Sequence, residues 1–193
     1  MELIDSEHEA ELRQAAAVCP QPVAAAVSGV LRARTEGSLI DSILKAAEVL
    51  TRYVAVLGLS SFAARESTND ELPYDLERLS GPISFGSFLD VALQLAGTAI
   101  EHPLKSQLAP GLVAKGKGKK KRRGKAEEGL SSLLELRNFL GHDLSSLSHA
   151  RAVTILRERR PVESLVAALN AVKGILSLPL FVVEEQALSK GSV

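Results

Sequence analysis

The chain has 193 residues, of which 46% are apolar, and no net charge, a composition typical of a globular protein rather than a disordered one. Its single cysteine excludes an internal disulfide framework and fits a reducing compartment. No run approaches the roughly 18 apolar residues of a membrane span, and the acidic start over 1–5 differs from the basic start of a secretory signal. We therefore expect a cytoplasmic protein with no membrane partner. The four histidines and Cys19 lack the spacing of metal ligands, so neither a metal site nor a cofactor is predicted.

Residues 1–37 are predicted to form helices that wrap around the rest of the fold. A short helix is expected over 5–18, where an acidic start leads into alanines, and the proline-rich stretch 19–22 stops it. An Ala/Val-rich helix follows over 23–34 and ends before Glu36-Gly37.

Residues 38–177 are predicted to form one helical bundle. Its first helix spans 38–65, with Ser38 as the N-cap and apolar residues recurring at spacings of three and four. A connecting loop with two prolines and a glycine follows over 69–82. The second helix is predicted over 84–108, and a proline within that range is expected to kink or end it.

A basic segment, predicted to be a mobile loop over 114–126, separates the second and third helices. Residues 115–125 carry eight positive charges and no negative one, so the remainder of this neutral chain carries a net charge of −8. Such a run is ordinarily a solvated loop. Its functional interpretation is an arm that binds RNA phosphates and releases counterions, although it has no aromatic residue on which a base could stack. The candidate nucleic-acid-binding residues of this arm are Lys115, Lys117, Lys119, Lys120, Lys121, Arg122, Arg123 and Lys125.

The third helix is predicted over 127–140, and the polar cluster at its end is not required for packing. Arg137, Asn138 and His142 supply a permanent cation, an amide, and an imidazole that exchanges protons near neutral pH. Asn138 and His142 are four residues apart and would share one face of a continuous helix. Gly141 could instead end the helix and leave His142 free to turn back towards Arg137. Without a shared ligand, the cluster would simply cap the helix C-terminus, where cations are favoured.

Two further helices, over 148–159 and 161–176, complete the predicted bundle, and the proline at position 161 suits a first helical turn. The tail over 178–193 begins with a β-rich stretch, which indicates an edge strand or the first strand of a further region. The predicted fold is therefore all-α: an antiparallel four-helix-type bundle with extra N-terminal helices and a short β-like C-terminal tail.

The pattern Arg137-Asn138-x-x-x-His142 resembles the Arg-(Asn, His or Asp)-x-x-x-His signature of the HEPN superfamily, small helical proteins of which many are metal-independent ribonucleases. From the composition of this chain, a chance match to Arg-Asn-x-x-x-His itself is expected roughly 0.004 times. In that family the motif also follows a Leu-rich helix, the third of an antiparallel helical bundle. Asp143 stands where many members have a small residue. It is a candidate modulator, because an acid beside the histidine would orient it or would repel a phosphate.

The resemblance implies an endoribonuclease of the toxin or antiviral-defence type. The RNA 2′-hydroxyl would attack the adjacent phosphorus and leave a 2′,3′-cyclic phosphate. His142 would move protons, Arg137 would stabilise the transition-state charge, and Asn138 would hold the histidine or a phosphate oxygen. Because chains of this family commonly pair at their motifs, the resemblance also implies a homodimer, with an antitoxin or a fused domain as a further partner.

Two non-catalytic alternatives stay open. One is a HEPN module that binds nucleic acid, a nucleotide or a partner protein. The other is a plain helical interaction domain whose lysine-rich arm binds anionic partners. An accessible Arg137 and His142 in one concave site favour the enzyme, whereas a binding module would tolerate loss of His142 but would need the arm.

Overall fold

The computed structural model describes residues 3–65, 84–113, 123–141 and 147–178. In these ranges the chain is all-α, with nine helices and no strand, which confirms the predicted fold class at that level. No helix among them is both long enough and apolar enough to span a bilayer. The helices are α1 (Ser6–Val18), α2 (Gln21–Leu31), α3 (Glu36–Ala63), α4 (Phe85–Gly97), α5 (Lys105–Leu112), α6 (Lys125–Leu140), α7 (His149–Arg159), α8 (Pro161–Ala171) and α9 (Lys173–Leu176).

The two N-terminal helices pack against each other and, through α2, against α3. Asp5 caps α1, and α1 ends at the predicted stop before Cys19. Helix α2 begins earlier than expected, at Gln21, because Pro22 is tolerated in a first turn, where its missing N–H would have no helical partner. Leu12 of α1 is fully buried, so this segment contributes to the core.

Helix α3 begins earlier than predicted, and Ser38 is not its N-cap. Thr35 is the cap: its hydroxyl accepts a hydrogen bond from the Ser38 N–H at 3.2 Å, and the Ser38 hydroxyl accepts one from the Thr35 N–H at 3.0 Å. This reciprocal capping box satisfies two N–H groups that the helix itself leaves unpaired. Glu36 and Gly37 therefore lie inside the first turn, where the glycine does not interrupt the helix.

The second predicted helix, over 84–108, is in fact two helices. The start of α4 is close to the predicted one, with Ser84 as its N-cap, but α4 ends at Gly97 and α5 begins only at Lys105. The interruption contains Pro103, the proline that was expected to kink or end the helix, although α4 already ends six residues before it. His102 also lies in the interruption, and its side chain is buried, with 6% exposed.

A serine from α3 holds the buried histidine. The Nδ1 of His102 lies 2.8 Å from the Ser61 hydroxyl, and its Nε2 lies 3.2 Å from the Leu95 carbonyl oxygen. Because a carbonyl can only accept, Nε2 carries the proton and Nδ1 accepts from the serine. The Ser61 oxygen in turn accepts the Leu104 N–H at 2.8 Å. This Ser–His pair is buried and fully bonded, which makes it a structural contact rather than a nucleophile with its base.

Glycines allow α5, α6 and α8 to approach one another closely. A Cβ placed on Gly129 of α6 would collide with the Ser164 carbonyl of α8, and one on Gly124 would collide with the Gly111 carbonyl of α5. A Cβ on Gly111 would lie 2.5 Å from the Ala171 carbonyl oxygen of α8. Helix α6 packs more extensively on α8 than on any other helix in the described part of the chain. Helix α6, which carries Arg137 and Asn138, therefore packs closely against both α5 and α8.

The remaining helices follow the predictions with one interruption. Ser148 caps α7, and α8 begins at Pro161. The helix predicted over 161–176 is divided at Val172 into α8 and α9. The predicted loop over 69–82 and the β-like tail from residue 179 onwards lie outside the described residues.

Candidate functional site

Arg137 and Asn138 of the motif lie in the last turn of α6, and the helix stops at Gly141. This glycine has φ 52° and ψ −125°, and its N–H donates to the Arg137 carbonyl at 3.0 Å. A positive φ costs glycine little because it has no Cβ. Of the two arrangements considered from the sequence, the helix that ends at Gly141 is therefore the one adopted, and α6 does not continue through this residue.

Arg137 and Asn138 are described, and both side chains are exposed. His142 and Asp143 lie outside the described residues. So do six of the predicted arm residues: Lys115, Lys117, Lys119, Lys120, Lys121 and Arg122.

Arg137 and Asn138 line a cleft of about 370 Å³ that the end of α6 forms with the beginning of α4. The two helices meet closely there, since a Cβ on Gly86 of α4 would lie 3.6 Å from Leu134 Cδ2 of α6. Glu48 of α3 also lines the cleft. Arg137 and Asn138 thus lie in a concave site. Because His142 lies outside the described residues, the condition set for the enzyme stays a prediction.

The cleft combines two positive features and one negative one. Arg137 supplies a full charge, and the first turn of α4, capped by Ser84, supplies the partial positive charge of a helix N-terminus. Glu48 supplies a carboxylate, whose Oε1 lies 3.2 Å from Nη2 of Arg52 on the next turn of α3. An anion in this cleft would therefore be favoured beside Arg137 and Ser84 and disfavoured beside Glu48.

The described residues of the basic arm lie far from this cleft. Lys125 is in the first turn of α6 and Arg137 in its last turn, which separates them by about 18 Å along the helix axis. Arg123 forms an ion pair with Glu127, with Nε 3.6 Å from Oε1. The structure therefore does not bring these two arm residues together with the motif at one site.

The beginning of α7 contacts the first turn of α3 through a histidine and a glutamate. His149 Nδ1 lies 3.0 Å from Oε2 of Glu36, a residue that is only 8% exposed in the first turn of α3. The hydrogen bond from its own backbone N–H lowers the pKa of Glu36, and the His149 hydrogen bond lowers it further, against the opposing effect of burial. His149, eight residues after Gly141, thus joins the beginning of α7 to the beginning of α3.

Glu36→Gln should change how stability depends on pH. Because the folded-state pKa of Glu36 is below its ordinary value of 4.5, the carboxylate stabilises the fold above that pH. This contribution is lost as the pH falls through the lower, folded-state pKa. We expect the variant to be less stable than wild type at about pH 6 and to lose less stability between about pH 6 and pH 3. Urea unfolding at both pH values measures the difference.

The matched control for this prediction is Glu135→Gln, an exposed carboxylate on α6, which should show the wild-type loss of stability on acidification. A Glu36→Gln variant that lost as much stability as wild type over the same pH interval would contradict the role assigned to Glu36.

Phe139 is the functional candidate that the sequence interpretation missed. Although it lies on a helix rich in leucine, Phe139 is not a core residue, because it is 55% exposed. The exposure of Phe139 follows from its position around the helix. Leu133, Leu136 and Leu140 form the buried stripe of α6, and Phe139 lies roughly a third of a turn away from that stripe. Its ring contacts α7 instead of the core.

Comparisons with known proteins do not assign the chain to a family: no family model matches it, and neither the curated proteins nor the solved structures include a match. The resemblance to the HEPN superfamily therefore rests on the motif and its helical setting. Within the described ranges, no group of three or more His, Cys, Asp or Glu residues could hold a metal ion.

Proposed function

We propose that the protein is a HEPN-type endoribonuclease that works without a metal, built as an antiparallel four-helix-type bundle in which α6 carries the catalytic motif. The observation that carries the proposal is the exposed Arg137-Asn138 pair in a cleft at the end of a helix that stops one residue before His142. A cation and an amide in a concave site suit a phosphate group, and the histidine that follows them in sequence suits proton transfer.

The proposed reaction is a transesterification within the RNA. The 2′-oxygen forms a bond to the adjacent phosphorus while the bond from phosphorus to the 5′-oxygen of the next nucleotide breaks. The 2′-hydroxyl loses its proton to a base, and the departing 5′-oxygen gains one from an acid. The products are a 2′,3′-cyclic phosphate and a 5′-hydroxyl, so no metal-bound nucleophile is required.

In this proposal each residue of the motif has one task. His142 takes the first proton when neutral, or gives the second when protonated. The guanidinium of Arg137 donates to the non-bridging phosphate oxygens, whose charge increases in the transition state. Asn138 holds either the imidazole or a phosphate oxygen through its amide, and Asp143 modulates the histidine beside it.

The surroundings of the cleft support phosphate binding next to Arg137. The first turn of α4 shares the cleft, and helix N-termini favour anions. In the proposed homodimer, the motifs of two chains face one another, so the partner copy supplies the second acid or base. The lysine-rich arm adds salt-sensitive affinity for RNA without selecting its sequence.

The test is cleavage of a mixed RNA pool by the purified protein in EDTA, with the product ends mapped. Wild type is expected to leave 2′,3′-cyclic phosphates, and His142→Ala is expected to lose this activity. His8→Ala is the matched control, because His8 belongs to the capped first turn of α1 and has no proposed part in the site. Equal cleavage by wild type and His142→Ala would contradict the assignment of the histidine.

A second candidate is a non-catalytic module that binds RNA. It is favoured by the cleft itself, whose positive features are suited to binding a phosphate and do not depend on His142. This alternative predicts no cleavage by wild type. It also predicts salt-sensitive RNA binding that survives His142→Ala and is lost when residues 115–125 are deleted.

A further inference from the structure

Phe139 is an exposed aromatic ring between two cations. Among the described residues, Val18, Val56 and Phe139 are the large hydrophobic side chains classed as exposed, and of these only Phe139 is aromatic. The Cζ of Arg151 lies 5.4 Å from the centroid of its ring, and the Cζ of Arg159 lies 5.6 Å from it. Both arginines belong to α7 and are eight residues apart, about 12 Å along the helix axis.

The two arginines flank the ring without covering it. Elsewhere in the chain, the Cζ of Arg65 lies only 3.8 Å from the centroid of Phe62, a ring that is fully buried. At Phe139 both distances exceed 5 Å and more than half of the side chain stays exposed. A flat apolar surface is therefore left open between two positive charges.

The two charged groups that the ring contacts, Arg151 and Arg159, are both cations. Arg157 of α7 and Arg160, which follows α7, are each in an ion pair, with Glu158 at 3.9 Å and Glu163 at 2.5 Å respectively, so the positive charge beside the ring is that of Arg151 and Arg159. A purely apolar partner would have to lie against these cations. A partner with a flat aromatic group and negative charges on either side of it would instead match both features.

We propose that Phe139, Arg151 and Arg159 form a platform on which an unpaired base of a single-stranded nucleic acid stacks. The phenyl ring provides the stacking surface and the two guanidinium groups bind the phosphates on either side of that base. This inference rests on the proposed function in its choice of ligand, and it adds a binding subsite that the motif does not include.

The position of the platform relative to the cleft gives the path of the strand. Arg137 and Phe139 are two residues apart in the last turn of α6, so they project about 200° apart around the helix axis. A strand that passes the C-terminal end of α6 would therefore contact the cleft on one side and the platform on the other. Its scissile phosphate would lie near Arg137, with a neighbouring base on Phe139.

The test is binding of a fluorescent 2′-O-methyl oligonucleotide, which cannot react, beside the same oligonucleotide without bases. Base stacking on an aromatic side chain predicts that Phe139→Ala weakens binding of the base-containing strand by about 5- to 100-fold. Binding of the abasic strand should stay unchanged, and Phe139→Trp should keep the wild-type preference for bases. Val56→Ala, which shortens an exposed apolar side chain on α3, is the matched control and should bind both strands as wild type does.

Arg159→Gln tests the phosphate contact of the platform independently of base stacking on Phe139. It should weaken binding of both strands to a similar degree and reduce the salt dependence, because it removes a phosphate contact rather than a stacking surface. Unchanged affinity of Phe139→Ala for the base-containing strand, an equal loss for both strands, or no binding by wild type would each overturn the platform.

The platform and the nuclease can fail separately. If wild type cleaves RNA and Phe139→Ala does not weaken binding of the base-containing strand, the platform is contradicted and the proposed function is not. If the protein cleaves no RNA but binds the base-containing strand through Phe139, the nuclease activity is contradicted and the platform is not.

Discussion

Arg137→Ala is expected to slow RNA cleavage by about 10²- to 10³-fold while leaving the fold unchanged. The arginine is exposed, so its removal costs little packing. Its proposed contribution is to the phosphate oxygens, where negative charge increases as the 2′-oxygen attacks. The measurement is single-turnover cleavage of a defined RNA at saturating protein, accompanied by thermal unfolding. RNA affinity should fall far less than the rate, because other cations also contact the strand.

Two further variants test this interpretation of Arg137. Arg137→Lys keeps the charge but loses the planar fork of donors, so its rate should lie between those of wild type and Arg137→Ala. Arg13→Ala is the matched control: this exposed arginine of α1 pairs with Glu9, with Nη2 2.6 Å from Oε1, and its loss should not change the rate. Wild-type cleavage by Arg137→Ala would contradict the role given to the motif.

Gly129→Ala is expected to lower the free energy of unfolding by about 1–3 kcal/mol. The added methyl group would collide with the Ser164 carbonyl of α8, which is main chain and cannot rotate away like the end of a side chain. Helices α6 and α8 would have to move apart, and their contact is the most extensive that α6 makes among the described helices. Urea unfolding followed by circular dichroism measures the change.

Gly29→Ala supplies the control, since it adds the same methyl group at a helical glycine of α2 that has open space around it. It should be neutral or should stabilise the fold by about 0.4–1 kcal/mol, through the smaller conformational entropy of the unfolded chain. Similar effects of the two substitutions would contradict the close approach of α6 and α8. If α6 does shift, Gly129→Ala should also slow cleavage under conditions in which it remains folded.

The helices could be predicted where a local rule decides their ends. Ser84 and Ser148 cap their helices, and Pro161 begins one, as their chemistry indicates. Ser38 shows the limit of such a rule, because a serine can occupy either the N-cap or the third position of a capping box. Here Thr35 is the N-cap and Ser38 is at the third position. The burial of His102 in the interruption after α4 could not be read locally, because its partner Ser61 comes from another helix.

Some features of the candidate site could be predicted from the sequence, and others could not. Gly141 indicated that α6 could end just before His142, and the helix does end there. The cleft could not be foreseen, because the first turn of α4 that completes it lies some fifty residues earlier in the chain. The exposure of Phe139 was also missed, since its arginine neighbours come from α7. In each case the deciding contact joins residues that are distant in sequence.

The most direct measurement of the central claim uses a DNA strand that contains a single ribonucleotide, incubated with wild-type protein in EDTA. The proposed mechanism predicts one cut, on the 3′ side of the ribonucleotide, with a 2′,3′-cyclic phosphate on one product and a 5′-hydroxyl on the other. It also predicts no cut when that ribose carries a 2′-O-methyl group. Cleavage of the 2′-O-methyl strand or of an all-DNA strand, or products with 5′-phosphate ends, would show that the 2′-hydroxyl is not the nucleophile and would contradict the mechanism.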